Sequence, residues 1–218
     1  MPLSDYTSYD PEFSDEQIAQ CARLVTGLRE INERVVRLSG SVEELSEAAD
    51  SVEALLDSLA PVTRSRAMES FRYAFDAGAP NDVIPFNPAT GAFNPIAPAM
   101  RMTLEDEKLI IRCTFADRYE SGPGMVQGGM VAAVYDQLMA YAVMAAGATG
   151  PTVSLKVSYL KPTPTHQELR FQAKVESIDG KKFTVRASCY REDEKLSEAE
   201  ALVLRAMDLP RKGDVKAD

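Results

Sequence analysis

Histidine is almost absent from this chain: His166 is the only one in 218 residues. A Ser-His-Asp triad would have to use it, and no G-x-S-x-G elbow accompanies it, so triad hydrolysis is disfavoured. His166 falls in the turn Pro162 to His166 and reads as a loop side chain. Transition-metal sites are equally short of ligands, and no metal is expected. Cysteine is scarce too. Cys21, Cys113 and Cys189 are odd in number, widely separated and in no C-x-x-C spacing, which argues against a disulfide framework and for the reduced thiols of a cytoplasmic protein. The most apolar window, Leu138 to Ala148, falls short of the ~20 residues of a membrane span. Residues 1–13 lack the charged start and apolar stretch of a signal peptide. No G-x-x-x-x-G-K-S/T sequence suggests nucleotide hydrolysis.

Positive charge is in deficit, with 24 Lys and Arg against 33 Asp and Glu. Residues 1–60 hold 13 acidic and 4 basic side chains, and the remainder holds 20 of each. Neither part offers the basic face that captures a phosphate backbone, so no nucleic-acid partner is expected.

What is present is enough apolar material, 45% of residues, for a full core. Two capping boxes, Ser14 to Gln17 and Ser41 to Glu44, announce two helices with Gly40 as the break between them. Val42, Leu45, Ala49, Val52, Leu56 and Leu59 form one apolar stripe on the second, and Ile18, Cys21, Val25, Leu28, Val35 and Leu38 a looser stripe on the first. An acidic helical hairpin over residues 1–63 must therefore dock on something; dimer contact and cover for an active site are both open to it. Residues 64–98 read as a short helix over 64–78 and then a Pro-rich wrapping segment, because Pro80, Pro85, Pro88, Pro95 and Pro98 exclude regular structure.

From there the pattern changes. A strand over Lys108 to Phe115 precedes a long helix, Gly128 to Ala146, and then strands near 152–160, 168–178, 181–191 and 197–207, with Gly180 at a hairpin turn. One apolar helix followed by four consecutive strands predicts an α+β domain, residues 99–210, with an antiparallel sheet wrapped around that helix. Residues 211–218 are expected to form a flexible tail.

The helix is apolar on almost every side, as buried helices are. Asp136 is out of place on it. Loss of hydration would raise its pKa, which makes it a site candidate; the alternative is a carboxylate tied locally for packing specificity. Just upstream, Ser121 to Gly129 carries four glycines into the helix N-terminus. Free N–H groups and the positive dipole end there can polarise a carbonyl.

Gln127-Gly128-Gly129 followed by Asp136 resembles the His-Gly-Gly…Asp signature of hotdog-fold acyl-CoA thioesterases of the phenylacetyl-CoA and 4-hydroxybenzoyl-CoA group. Tyr119 to Gly124, Val153 to Pro162 and Asn94 to Pro98 extend the likeness over roughly residues 88–207. The resemblance implies a hotdog fold with an N-terminal helical hairpin extension, hydrolysis of a fatty or aromatic acyl-CoA to free acid and CoA, and no cofactor. It implies that Gly128 donates its N–H to the thioester carbonyl, that Asp136 is nucleophile or general base, and that Ser154 orients the attacking water across a homodimer or dimer-of-dimers interface. Gln127 stands where relatives carry His; it can donate a hydrogen bond but cannot titrate near neutral pH. Gly129, Met130 and Ser121 are expected beside the substrate, with Lys161 and Arg170 near the CoA phosphates. Met125, Met130, Met139 and Met144 cluster around the motif, as an acyl tunnel or as core. The second expectation is a non-catalytic acyl-CoA binder or interaction subunit.

Overall fold

The computed structural model describes residues 14–63 and 84–209, so the short helix expected over 64–78 and the tail at 211–218 lie outside the described residues. Helices α1 (Asp15–Val35) and α2 (Val42–Leu59) begin at the two capping boxes: the Ser14 and Ser41 hydroxyls accept from the amides of Gln17 and Glu44, whose side chains bond back. The first helix ends earlier than Gly40. Its C-cap is Val36 in a right-handed conformation, so the break needs no glycine and Leu38 lies beyond the helix.

Strands β1 (Met100–Glu105) and β2 (Lys108–Thr114) form a hairpin. Two short strands, β3 (Glu120–Gly122) and β4 (Met125–Val126), lead into α3 (Gly128–Ala145). After β5 (Ala148–Thr149) come the long strands β6 (Thr152–Tyr159), β7 (Glu168–Asp179), β8 (Lys182–Arg191) and β9 (Glu194–Leu204), and then β10 (Met207–Asp208). The main sheet has the order β1-β2-β7-β8-β9-β6, with every neighbouring pair antiparallel. Gly180 takes φ +55 at the β7–β8 turn, a conformation free of strain only for glycine.

Strand alternation sends Leu109, Ile111, Phe171, Phe183, Val185, Ala201 and Val203 to one face, where all are buried. Across them lies α3, burying Val134, Tyr135, Leu138 and Met139. Tyr135 packs edge-on to Phe171 at 5.3 Å and its hydroxyl meets the buried Ser197 hydroxyl at 2.8 Å. Burial raises the Tyr135 pKa, since phenolate would lose its hydration there. This is the expected sheet wrapped on a central helix. Met139 and Met144 belong to its core, Met130 packs at its edge, and Met125 is exposed. No described helix is long and apolar enough to cross a membrane.

Candidate active site

Each part of the site is fixed by a local device. Gln127 is the N-cap of α3: its side-chain carbonyl accepts from the Met130 amide at 2.9 Å, and its own amide donates to the Tyr119 carbonyl at 2.8 Å. Gly128 and Gly129 occupy the first two helical positions, whose N–H groups have no acceptor within a helix. The cap thus takes up the third amide and leaves two glycine amides at the positive end of the dipole. A Cβ on Gly129 would lie 2.8 Å from the Gln127 side-chain oxygen, so a side chain there would push on the cap. From the sheet, the Tyr159 hydroxyl donates to the Gly128 carbonyl at 2.7 Å and its ring stands 3.4 Å from where a Gly128 Cβ would be.

Asp136 lies two turns further along, on the face of α3 turned from the sheet. Its neighbours there, Gly129, Ala132, Ala133, Gln137 and Ala140, are likewise not fully buried, because the sheet covers only the opposite side. The expected burial of Asp136 is therefore not produced within one chain. Among the described residues its carboxylate has no hydrogen-bond or ion-pair partner. Gln137 beside it accepts from Asn87 at 2.7 Å; the Asn87 side-chain oxygen in turn accepts from the Ala89 and Thr90 amides, and Thr90 meets the Tyr141 hydroxyl at 3.3 Å. The Pro-rich segment is pinned to α3 by this chain of bonds, next to the carboxylate.

The other expected site residues are spread out. Ser121 is exposed in β3. Lys161 is exposed and its ammonium pairs with Glu194, which also pairs with Arg191; these cations hold the Glu194 carboxyl below its ordinary pKa. Arg170 bonds Gln172 and stacks on the Tyr190 ring, on the sheet face away from α3. Ser154 lies on that outer face too. It pairs with Leu202, while Thr152 pairs with the core residue Val203 and Leu155 with the core residue Ala201; a bulge between Thr152 and Ser154 shifts the register. Thr152, not Ser154, is the hydroxyl on the helix side of β6.

Four residues escaped the sequence reading: Tyr159, Thr152, Arg29 and Glu33. Glu33, 9% exposed, accepts from the Asp117 amide at 2.8 Å and from the Arg118 guanidinium at 3.1 Å. Arg29 donates to the carbonyls of Ala97, Gly91, Ala92 and Asn94 at 3.1, 3.2, 3.3 and 3.1 Å. The end of α1 is thereby docked on the two loops that precede the motif. His166, an exposed loop residue, bonds Asp117, which also pairs with Arg37 at 3.3 Å. No polar periodicity could have marked Arg29 or Glu33, because surface charges on an amphipathic helix look the same.

Comparison with known proteins bears on this geometry. Residues 123–198 match the sequence profile of the thioesterase superfamily. Among solved structures, the chain is similar to a thioesterase superfamily protein at 22% identity, over 91% of this chain and 94% of the other, with a TM-score of 0.74. That likeness supports the hotdog fold. The chain is also similar, over about half its length, to two smaller proteins. One is a phenylacetic acid degradation-related protein from Ralstonia eutropha JMP134 (27% identity, 49% of this chain and 83% of that one, TM-score 0.44). The other is a hypothetical thioesterase with coenzyme A from Streptococcus pneumoniae TIGR4 (14%, 51% and 92%, 0.49).

Proposed function

We propose, from the match of residues 123–198 to the thioesterase superfamily, that this chain hydrolyses an acyl-CoA thioester to free acid and CoA. The observation that carries the reading is the pairing on one helix of two glycine amides without helical acceptors and one carboxylate without a partner among the described residues. The thioester carbonyl lies on the Gly128 amide, where the dipole end stabilises the developing oxyanion. Asp136 as carboxylate removes a proton from the water that attacks the carbonyl carbon, or attacks it directly to form an acyl anhydride that water then hydrolyses to the free acid and the regenerated carboxylate. On either route the C–S bond breaks, and the CoA thiolate leaves and takes up a proton.

Geometry supports a site shared between two copies. Gly128 and Asp136 are eight residues apart, about 12 Å along a helix, whereas reacting groups stand roughly 3–3.5 Å apart in a near-attack pair. Gly128 of one copy facing Asp136 of a second closes that gap. Strand β6 is an edge of the sheet among the described residues, flanked by the exposed Val153, Tyr159 and Leu160, and an antiparallel pairing of two such edges is the natural contact. Thr152 takes the place of Ser154 as the hydroxyl that orients water, since it faces α3.

Thiol release from a panel of short, aromatic and long acyl-CoAs tests the reading. Asp136→Asn should lower kcat by about 10²–10⁴-fold, and Thr152→Val by about tenfold, the worth of one hydrogen bond, with Ser154→Ala unchanged. Full activity in Asp136→Asn would place the chemistry elsewhere. The capping role of Gln127 favours one other outcome, a binder that retains CoA esters without turning them over, and it is recognised by binding with no thiol release.

A further inference from the structure

Between the last turn of α1 and the glycine approach to α3 lies an open cleft of about 500 Å³, walled by Val35, Val36, Ile96, Tyr119 and Met130 and reaching Gln127. We propose that this cleft is the acyl subsite, and that it takes an uncharged apolar acyl group, aliphatic or aryl. The proposal rests on the thioesterase reading and names the substrate class for that same site.

Three observations support it. The first is that the wall is built. Val35 and Val36 are 52% and 56% exposed and Ile96 56%, an apolar strip left open among the described residues. Yet the strip is held in place from both sides: Glu33 is bound to the Asp117 amide and the Arg118 guanidinium, and Arg37 to Asp117. Arg29 ties the same helix to the Ile96 loop through four carbonyls. The Tyr119 hydroxyl donates to the Ile96 carbonyl at 2.7 Å, which locks the wall's two loops together.

The second is continuity with the chemistry. Gln127 and Met130, both on the wall, bracket Gly128 and Gly129 in the chain. An acyl group whose carbonyl lies on the Gly128 amide leaves that amide within two residues of apolar surface.

The third is charge. The Arg118 guanidinium at the cleft is held by Glu33, and the exposed Glu120 stands at its rim. Phosphate oxygens of CoA meet no unpaired cation on this wall among the described residues, and an acyl group ending in a carboxylate meets a like charge. What remains is an apolar cleft within the size range of small-molecule sites.

The test uses the full chain. Acetyl-, octanoyl- and phenylacetyl-CoA are compared for kcat/KM, and binding of the non-hydrolysable S-octyl-CoA thioether is measured alongside. The variants are Val36→Asp, Ile96→Asp and, on α2 away from the cleft, Val42→Asp, all at exposed positions, with the fold of each checked by circular dichroism. A charge in the cleft should lower the octanoyl-to-acetyl ratio of kcat/KM, and thioether affinity, at least about tenfold in Val36→Asp and Ile96→Asp, with Val42→Asp like the wild type. A ratio and an affinity within twofold of wild type in both cleft variants overturn the subsite. If the wild type cleaves no ester, hydrolysis falls, while the cleft stands when both cleft variants lose the thioether and falls when they keep it.

Discussion

Helices α2 and α3 are each 18 residues long and each begins at a side-chain cap, yet among the described residues one buries no side chain fully and the other carries the core. In α2 the apolar stripe stays on the surface, with Val42, Val52 and Leu56 exposed at 78%, 43% and 61%. In α3 apolar residues surround the axis, and the sheet takes one side of them. An amphipathic stripe says that a helix has a face to cover, not that its own chain covers it. A helix apolar all round has fewer places to go. Between these cases stands α1, which docks mainly through Arg29 and Glu33 while Ile18, Leu24 and Ile31 stay partly exposed. The buried Glu33 and the half-buried Arg29, each with several partners, give it a defined seat on the loops beside the site.

The largest difference between the two regions should appear in stability. Phe171→Ala removes a fully buried ring that packs on Tyr135 and Phe115, and should cost about 3–5 kcal/mol in denaturant unfolding. Leu56→Ala on α2 should stay within about 0.5 kcal/mol, and a large loss there would mean that α2 is covered in solution. An intermediate effect is expected at the seat of α1. Glu33→Ala leaves the Asp117 amide and the Arg118 guanidinium without their acceptor, at a cost of about 1–3 kcal/mol. Hydrogen exchange should then quicken over 14–35 and 116–119 while β7 to β9 stay protected; equal protection in α1 would show that something other than Glu33 holds it. The smallest test is chemical. Burial pushes the Cys189 thiol up to about 12 and raises Cys113 as well. Thiolate is the reactive form and accumulates only as pH approaches the pKa, so at pH 8 both should resist iodoacetamide until the protein unfolds. Cys21 on α1 is half-buried and should be modified in the native state. Labelling of Cys113 in folded protein would erase the contrast.

Much of the domain was legible because it obeys short-range rules. Helix α3 matches its expected bounds to within one residue, Gly180 turns the β7–β8 hairpin, and Ser14 and Ser41 cap their helices. The misses share a cause. Strand β1 went unread since the turn after it, Asp106-Glu107, takes positive φ without a glycine to announce it. Strand β9 begins at Glu194 rather than 197 for the same reason, with Glu192 at φ 52. Ser154 came from the resemblance alone, and the bulge that turns Thr152 toward α3 is one that spacing cannot reveal.

From the sequence alone came the central helix, its glycine approach and the odd carboxylate at Asp136, because helix period, capping and hydrophobicity act within a few residues and are written locally. Tertiary structure alone decided which hydroxyl of β6 faces α3, that Tyr159 reaches Gly128, and that the Pro-rich segment is bonded to Gln137. It also decided where α1 sits. Those facts join residues distant in sequence, as Glu33 and Arg118 are, and such pairings are set by register and packing rather than by the pattern of either segment.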